Sequence, residues 1–128
     1  SNPRSPWLAD LLGDSPVWTC RRQDAASLDF HLPPEVAEGP ATQILGLRPE
    51  SLTLHTSPPV QLPFIGPVRV HRIAPTGPRT WIECRWRNGS RIEVPVAPDA
   101  PRASVGDTAW LAVPADQVLR FDSVSGTP

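Results

Sequence analysis

The stretch from Thr80 to Arg87 carries the densest recognition chemistry in this sequence. Trp81, Glu83, Arg85 and Arg87 alternate with Ile82, Cys84 and Trp86. An extended backbone therefore sends the two sets to opposite faces. An aromatic ring among guanidinium groups is the make-up of a protein–protein hot spot. It is also the make-up of a stacking platform for single-stranded nucleic acid. A third use is internal, with Trp81 packing under Trp7 or Trp18, and that reading leads. Glu83 and Glu93 fall on opposing arms of a hairpin centred at Asn88-Gly89. Two facing carboxylates suit acid–base work, but Arg85 and Arg91 lie beside them. A salt-bridged, solvated sheet face is the expectation.

Two other clusters have recognition chemistry. Arg48 and Glu50 flank Pro49, which pushes Arg48 out of helical space and forces a bend. They either contact a neighbouring domain or serve locally, Arg48 on a carboxylate or carbonyls and Glu50 as a cap of the turn at Ser51-Leu52. The turn Pro75-Thr76-Gly77-Pro78-Arg79 offers a backbone that a ligand can approach at Gly77, donors on Thr76 and a fork on Arg79. Such a turn can cradle an anion. Pro78 removes one amide donor, and a bare hairpin turn is the plainer reading.

Other chemistries are not supported. Every basic residue among the 128 is Arg, so the chain holds no Walker A lysine and no lysine for a Schiff base. His31, His55 and His71 are scattered and lack Cys or carboxylates at ligand spacing, which fits hydrogen-bonded strand histidines. No nucleophile–base constellation is visible. Ser90 and Ser104 sit at turns, where hydroxyls satisfy backbone groups. The two cysteines, Cys20 and Cys84, are far apart in sequence and read as buried reduced thiols. A net charge of −1 gives no electrostatic case for nucleic acid or an anionic membrane. No apolar run is long enough to span a bilayer.

The elements that must position these residues are short. Eighteen prolines argue against long helices, because proline lacks a donor and clashes in a helix interior. Only Ser5 to Leu12 reads helical, with Ser5 as cap, Pro6 at the first position and Gly13 as the stop. Strands are expected at 17–22, 27–32, 43–47, 52–54, 66–73, 80–87, 91–96, 108–113 and 118–121. The segment 35–41 reads as loop, and 114–117 as one turn of helix. Asn88-Gly89 predicts a two-residue type I′ turn. The composition suits one domain able to bury a core without staples. The fold expected is all-β, one or more small barrels of short antiparallel strands with a short N-terminal helix.

Several segments, in order, resemble a known family. Gly46-Leu47-Arg48-Pro49-Glu50-Ser51-Leu52 resembles the Gly-apolar-Arg-Pro-Glu signature of the transport-associated OB, or TOBE, domain at the C-terminus of ATP-binding subunits of ABC importers. Trp7 to Gly13, Gly66 to Val70, Ala74 to Gly77, Ser104 to Leu111 and Val118 to Asp122 resemble its other segments. The resemblance covers roughly residues 7–122.

It implies an OB-like barrel over 15–122, preceded by a linker and helix over 1–14 and followed by a disordered tail over 123–128. It also implies a non-catalytic accessory, regulatory and dimerising domain of an importer ATPase serving sugars, polyamines, iron or phosphonates. ATP and Mg would bind the nucleotide-binding domain that these residues lack, and this chain would hold no cofactor. The partners implied are that domain, a second copy of the subunit and, indirectly, the membrane subunits, at the cytoplasmic side of the membrane. Arg48, Glu50, Thr76, Gly77, Arg79, Trp81 and Arg85 are the candidate binding or interface residues. The alternatives are a free-standing small-ligand or oxyanion-binding module, as in molybdate-responsive relatives, and a nucleic-acid-binding OB fold.

Overall fold

The computed structural model describes residues 17–97 and 103–121. The helix expected at Ser5 to Leu12, Trp7 and the C-terminal tail lie outside them. In chain order come β1 (Trp18–Arg21), β2 (Phe30–His31), α1 (Pro34–Ala37), β3 (Ile44–Leu47), β4 (Thr53–His55), β5 (Phe64–Thr76), β6 (Arg79–Arg85), β7 (Arg91–Val96), β8 (Thr108–Ala112) and β9 (Leu119–Phe121). Strands dominate, as the proline content and the period-2 patterns require, and every pairing is antiparallel.

The larger sheet runs β4-β8-β5-β6-β7, with β2 paired to the start of β5; the smaller runs β1-β3-β9. β5 joins the two halves of the larger sheet. Its first residues pair with β8 and its last with β6. The far edge strand, β7, comes close to β4 and to the 3₁₀ turn Pro49–Ser51. The sheet is thereby curled towards closure, the OB-like all-β arrangement. Closing the edges hides backbone groups that would otherwise recruit another strand.

Proline is accommodated where no ladder bond is lost. Pro95 lies in edge strand β7, and Pro75 lies where β5 has only β6 beside it. Pro67 sits at an irregularity where Gly66 and Pro67 oppose Trp110 alone. Gly66 is required there. A Cβ on it would run into the Trp110 ring and stand 3.0 Å from the Ala109 carbonyl oxygen.

Inside lie Leu45, Leu47, Ile65, Val70, Val94 and Leu111, essentially without solvent contact. An aromatic cluster links the two sheets. Trp18 of β1 stacks on Trp86 at 5.4 Å between ring centroids and meets Phe30 of β2 edge-on at 6.3 Å. Trp86 Nε1 donates to the Leu28 carbonyl. Offset aromatic pairs of this kind add to the stabilisation from buried area alone.

The structure corrects the sequence reading in three places. The 27–32 segment is not one strand. A 3₁₀ turn covers Ala26–Leu28, Asp29 takes a left-handed φ of 51°, and only Phe30–His31 pairs. Leu28 and Phe30 are both buried, so burial on either side of a turn imitated strand alternation. The 35–41 segment opens in α1, which begins at Pro34 and ends at Ala37. Arg22 fastens this stretch by donating to the carbonyls of Ala37 (2.7 Å) and Pro40 (2.9 Å), a cation at a helix C-terminus.

The Asn88-Gly89 hairpin is the third correction. Only Gly89 has positive φ, at 91°. Gly89 N–H donates to the Trp86 carbonyl, and Trp86 N–H to that of Ser90. Arg87, Asn88 and Gly89 thus form a three-residue loop, with glycine at the left-handed position. The extra residue sets Ile82 opposite Val94 and Cys84 opposite Ile92, which keeps both apolar sets on the core side.

Candidate functional site

The outward face of β5, β6 and β7 gathers most of the chemistry-bearing side chains. Registers place Arg69 beside Arg85 and Arg85 beside Arg91; the next row is Arg72, Glu83 and Glu93. A bulge at His71, between Val70 and Arg72, makes this possible. Strict alternation would turn Arg72 inward and Ile73 outward. The extra residue resets the phase, so Arg72 joins the outer row and Ile73 packs against the core.

Glu83 is the electrostatic centre of this face. It is only 5% exposed, although it belongs to the outward set. Arg85 Nε donates to its Oε2 at 2.8 Å, and Arg91 Nη1 is 3.9 Å from the same oxygen. That hydrogen bond holds the carboxyl below the usual carboxylate range against the opposing cost of burial. The charges of Arg85, His71 and Arg91 add to it. Glu93 faces it across the strands but is exposed. The salt-bridged, solvated face expected from the sequence is met in part: Glu83 is bridged by arginines but buried, whereas Glu93 is exposed and makes no ion pair among the described residues.

Trp81 is half-buried between its cross-strand neighbours Ala74 and Pro95. It does not pack under Trp18, whose ring stacks on Trp86 instead. Trp86 lies on the core side and reaches the other sheet, whereas Trp81 lies on the outer side and cannot.

Arg79 is exposed on the same face as Trp81 and Arg85. Thr76 pairs through its backbone with Arg79, leaving Gly77-Pro78 as a two-residue loop. Gly77 has φ 62°, and a Cβ there would meet nothing within 4 Å. Glycine is thus needed for the turn conformation, and crowding plays no part. Nothing else in the described geometry marks this loop as an anion cradle.

Arg48 and Glu50 stand apart from this face, on the 3₁₀ turn beside β7. Pro49 is buried and pins the turn, Arg48 is half-buried and Glu50 is exposed. The turn has no side-chain cap, so Glu50 does not cap it. The Arg48 carbonyl accepts from the Ser51 amide at 2.8 Å, but its side chain makes no hydrogen bond or ion pair among the described residues.

Two of the three histidines have polar partners, and the exposed His71 makes no hydrogen bond or ion pair among the described residues. His31 Nε2 lies 3.0 Å from the Gly66 carbonyl oxygen and its ring lies on Phe64; His55 Nε2 lies 3.0 Å from Thr53 Oγ1. No group of three His, Cys, Asp or Glu side chains is placed to hold a metal among the described residues. Cys20 and Cys84 are buried free thiols. Desolvation, helped by Asp24 and by Glu83 respectively, pushes each up to about 12, so neither is a nucleophile near neutral pH. What the arrangement offers is recognition by guanidinium groups, a half-buried Trp81 and, among the described residues, Arg48 and Glu50 side chains without a partner.

Sequence reasoning missed Arg69, His71 and Arg72. Alternation with Val68 and Val70 marks Arg69 as outward, but the bulge that brings Arg72 round has no local signature. Compared with protein-family models, residues 45–121 match the one described as "TOBE domain". No curated protein sequence matches the chain.

Proposed function

We propose, from the premise that the chain belongs to the TOBE domain family, that it is the accessory and regulatory domain of an ABC importer's ATP-binding subunit. A TOBE domain is a non-catalytic module, typically of ABC transporter ATPases or molybdate-binding proteins. The observation that carries the importer reading is the Arg48-Pro49-Glu50 turn. It lies within the matched span, its proline is buried, and its two charged side chains bond to nothing among the described residues. Charged groups held by a rigid turn and left unpaired suit contact with a neighbouring domain.

On this reading the domain adjoins the nucleotide-binding domain and helps hold two subunits together while the ATP sites open. The mechanism is coupling through an interface, with bond chemistry confined to the partner domain. Homodimerisation belongs to the proposal. Of the four tryptophans among the described residues, Trp18 and Trp86 stack on each other and Trp110 packs against Gly66, so Trp81 and the Arg48 turn carry the candidate contact.

The coding sequence upstream of Ser1 tests this directly. Walker A, Walker B and signature motifs ahead of Pro3 are the expected result. An unrelated upstream domain would overturn the importer reading in favour of a free-standing ligand-binding module. In the intact subunit, Arg48→Ala is expected to weaken the coupling of ATP turnover to transport while leaving nucleotide binding unchanged.

A further inference from the structure

We infer that the outer face of the smaller sheet is the seat of residues 5–12 of the same chain, which lie across it as a helical strap. The inference goes beyond the accessory-domain reading and does not rest on it.

Alternation divides the smaller sheet into two faces. Cys20, Leu45, Leu47 and Val118 belong to the core cluster, and Trp18 packs against it. The residues that alternate with them, Val17, Thr19, Ile44, Gly46, Leu119 and Phe121, point the other way. Apart from Thr19 this outer patch is apolar. It is also covered. Val17 is 2% exposed and Thr19 6%, and Gly46 is buried, although the core cluster, Phe30 and Trp86 all lie on the inner side. Outward residues of a solvated edge strand behave differently: Thr53 and His55 of β4 are exposed. Arg21, the next outward residue of β1, is exposed as well and marks the limit of the cover.

The patch has a flat floor. A Cβ on Gly46 would stand 3.2 Å from Val17 Cγ1, 3.3 Å from Phe121 Cε2 and 3.4 Å from Leu119 Cβ. The missing side chain lets these three close over β3 into one continuous apolar surface.

Composition selects the occupant. Outside the described residues lie 1–16, 98–102 and 122–128. The segment 98–102 is Pro-Asp-Ala-Pro-Arg, and in 122–128 Val124 is the one large apolar side chain. Only the first segment holds an apolar stripe, with Trp7, Leu8, Leu11 and Leu12 at helical spacing. Its dimensions agree with the patch. Eight helical residues span about 12 Å, and the outer two of three strands lie about 10 Å apart. The four residues 13–16 reach about 13 Å, enough to carry the chain from the strap back into Val17. Val17 and Arg48 flank the Trp18–Leu47 pair on adjacent strands. The strap therefore enters the sheet beside the Arg-Pro-Glu turn.

The test uses the 128-residue chain in solution. Nuclear Overhauser contacts are expected from the Trp7 indole and the Leu11 and Leu12 methyls to the Leu119 methyls and the Phe121 ring, at a sedimentation mass of one chain. This readout needs no variant to fold. Leu11→Asp is expected to lower the melting midpoint by about 5–10 °C, through loss of one buried leucine. Ala9→Gln, off the apolar stripe, is expected to change it by less than about 2 °C. Contacts that vanish as a dimer is diluted to a monomer would assign the patch to a second copy and overturn the proposal. Absence of the contacts, or a Leu11→Asp midpoint equal to that of the parent, would overturn it too.

Discussion

Glu83 shows how one residue's environment sets its chemistry. Its carboxylate is nearly hidden and is stabilised chiefly by the hydrogen bond from Arg85. A carboxyl lowered in the folded state contributes stability that is present above its unfolded pKa and lost as pH falls through the folded one. Glu83→Gln should therefore melt below the parent at pH 7, by about 1 kcal/mol once solvent at the part-exposed Arg85 is allowed for. The gap should close as pH is lowered below the ordinary carboxylate range, and melting curves at several pH values would show it. The cysteines behave oppositely. With each thiol pushed up to about 12, Cys20 and Cys84 should resist alkylation at pH 8 in the folded chain. Both should react promptly in denaturant; one fast-reacting thiol in native conditions would contradict the burial.

Among the elements, the β6–β7 hairpin decides the most. Its three-residue loop keeps Ile82, Cys84, Ile92 and Val94 on the core side and the arginine row outside. The loop depends on the left-handed conformation at Gly89. Gly89→Ala should cost about 1–2 kcal/mol through that conformation, since a Cβ there meets nothing. Thermal denaturation would measure it. An unchanged midpoint would mean that the loop can adopt another form without losing register. The bulge at His71 is the matching device in β5, because it determines which side chains share a face with Arg85.

For the whole molecule, the joint between the two sheets is aromatic. Trp86 lies at the end of the β6 arm, stacks on Trp18 of the smaller sheet and bonds the Leu28 carbonyl. Trp86→Phe would orphan that buried carbonyl and thin the stack. A loss of about 2–4 kcal/mol is expected, by the cost of an unsatisfied acceptor and lost packing. If the sheets fold as one unit, intrinsic fluorescence and far-UV circular dichroism should still report one shared transition in this variant. Two separated transitions would show that the smaller sheet unfolds independently.

Local patterns were sufficient for much of this. The alternation Ile92-Val94-Val96 identified β7, Pro49 identified the Arg48 turn, and Trp81 and Arg85 were legible as neighbours on one strand face. The ordered motif segments pointed to the family that the comparison then matched over 45–121. All of these are short-range signals: side-chain period, proline stereochemistry, turn residues. Tertiary structure alone decided the rest. It showed that the buried Leu28 and Phe30 flank a 3₁₀ turn, that Arg22 holds α1 in place, and that Trp18 stacks on Trp86 rather than on Trp81. It also aligned Arg69, Arg85 and Arg91 across three strands. Register and bulges arise from pairing between distant segments, and no window of the sequence contains both partners.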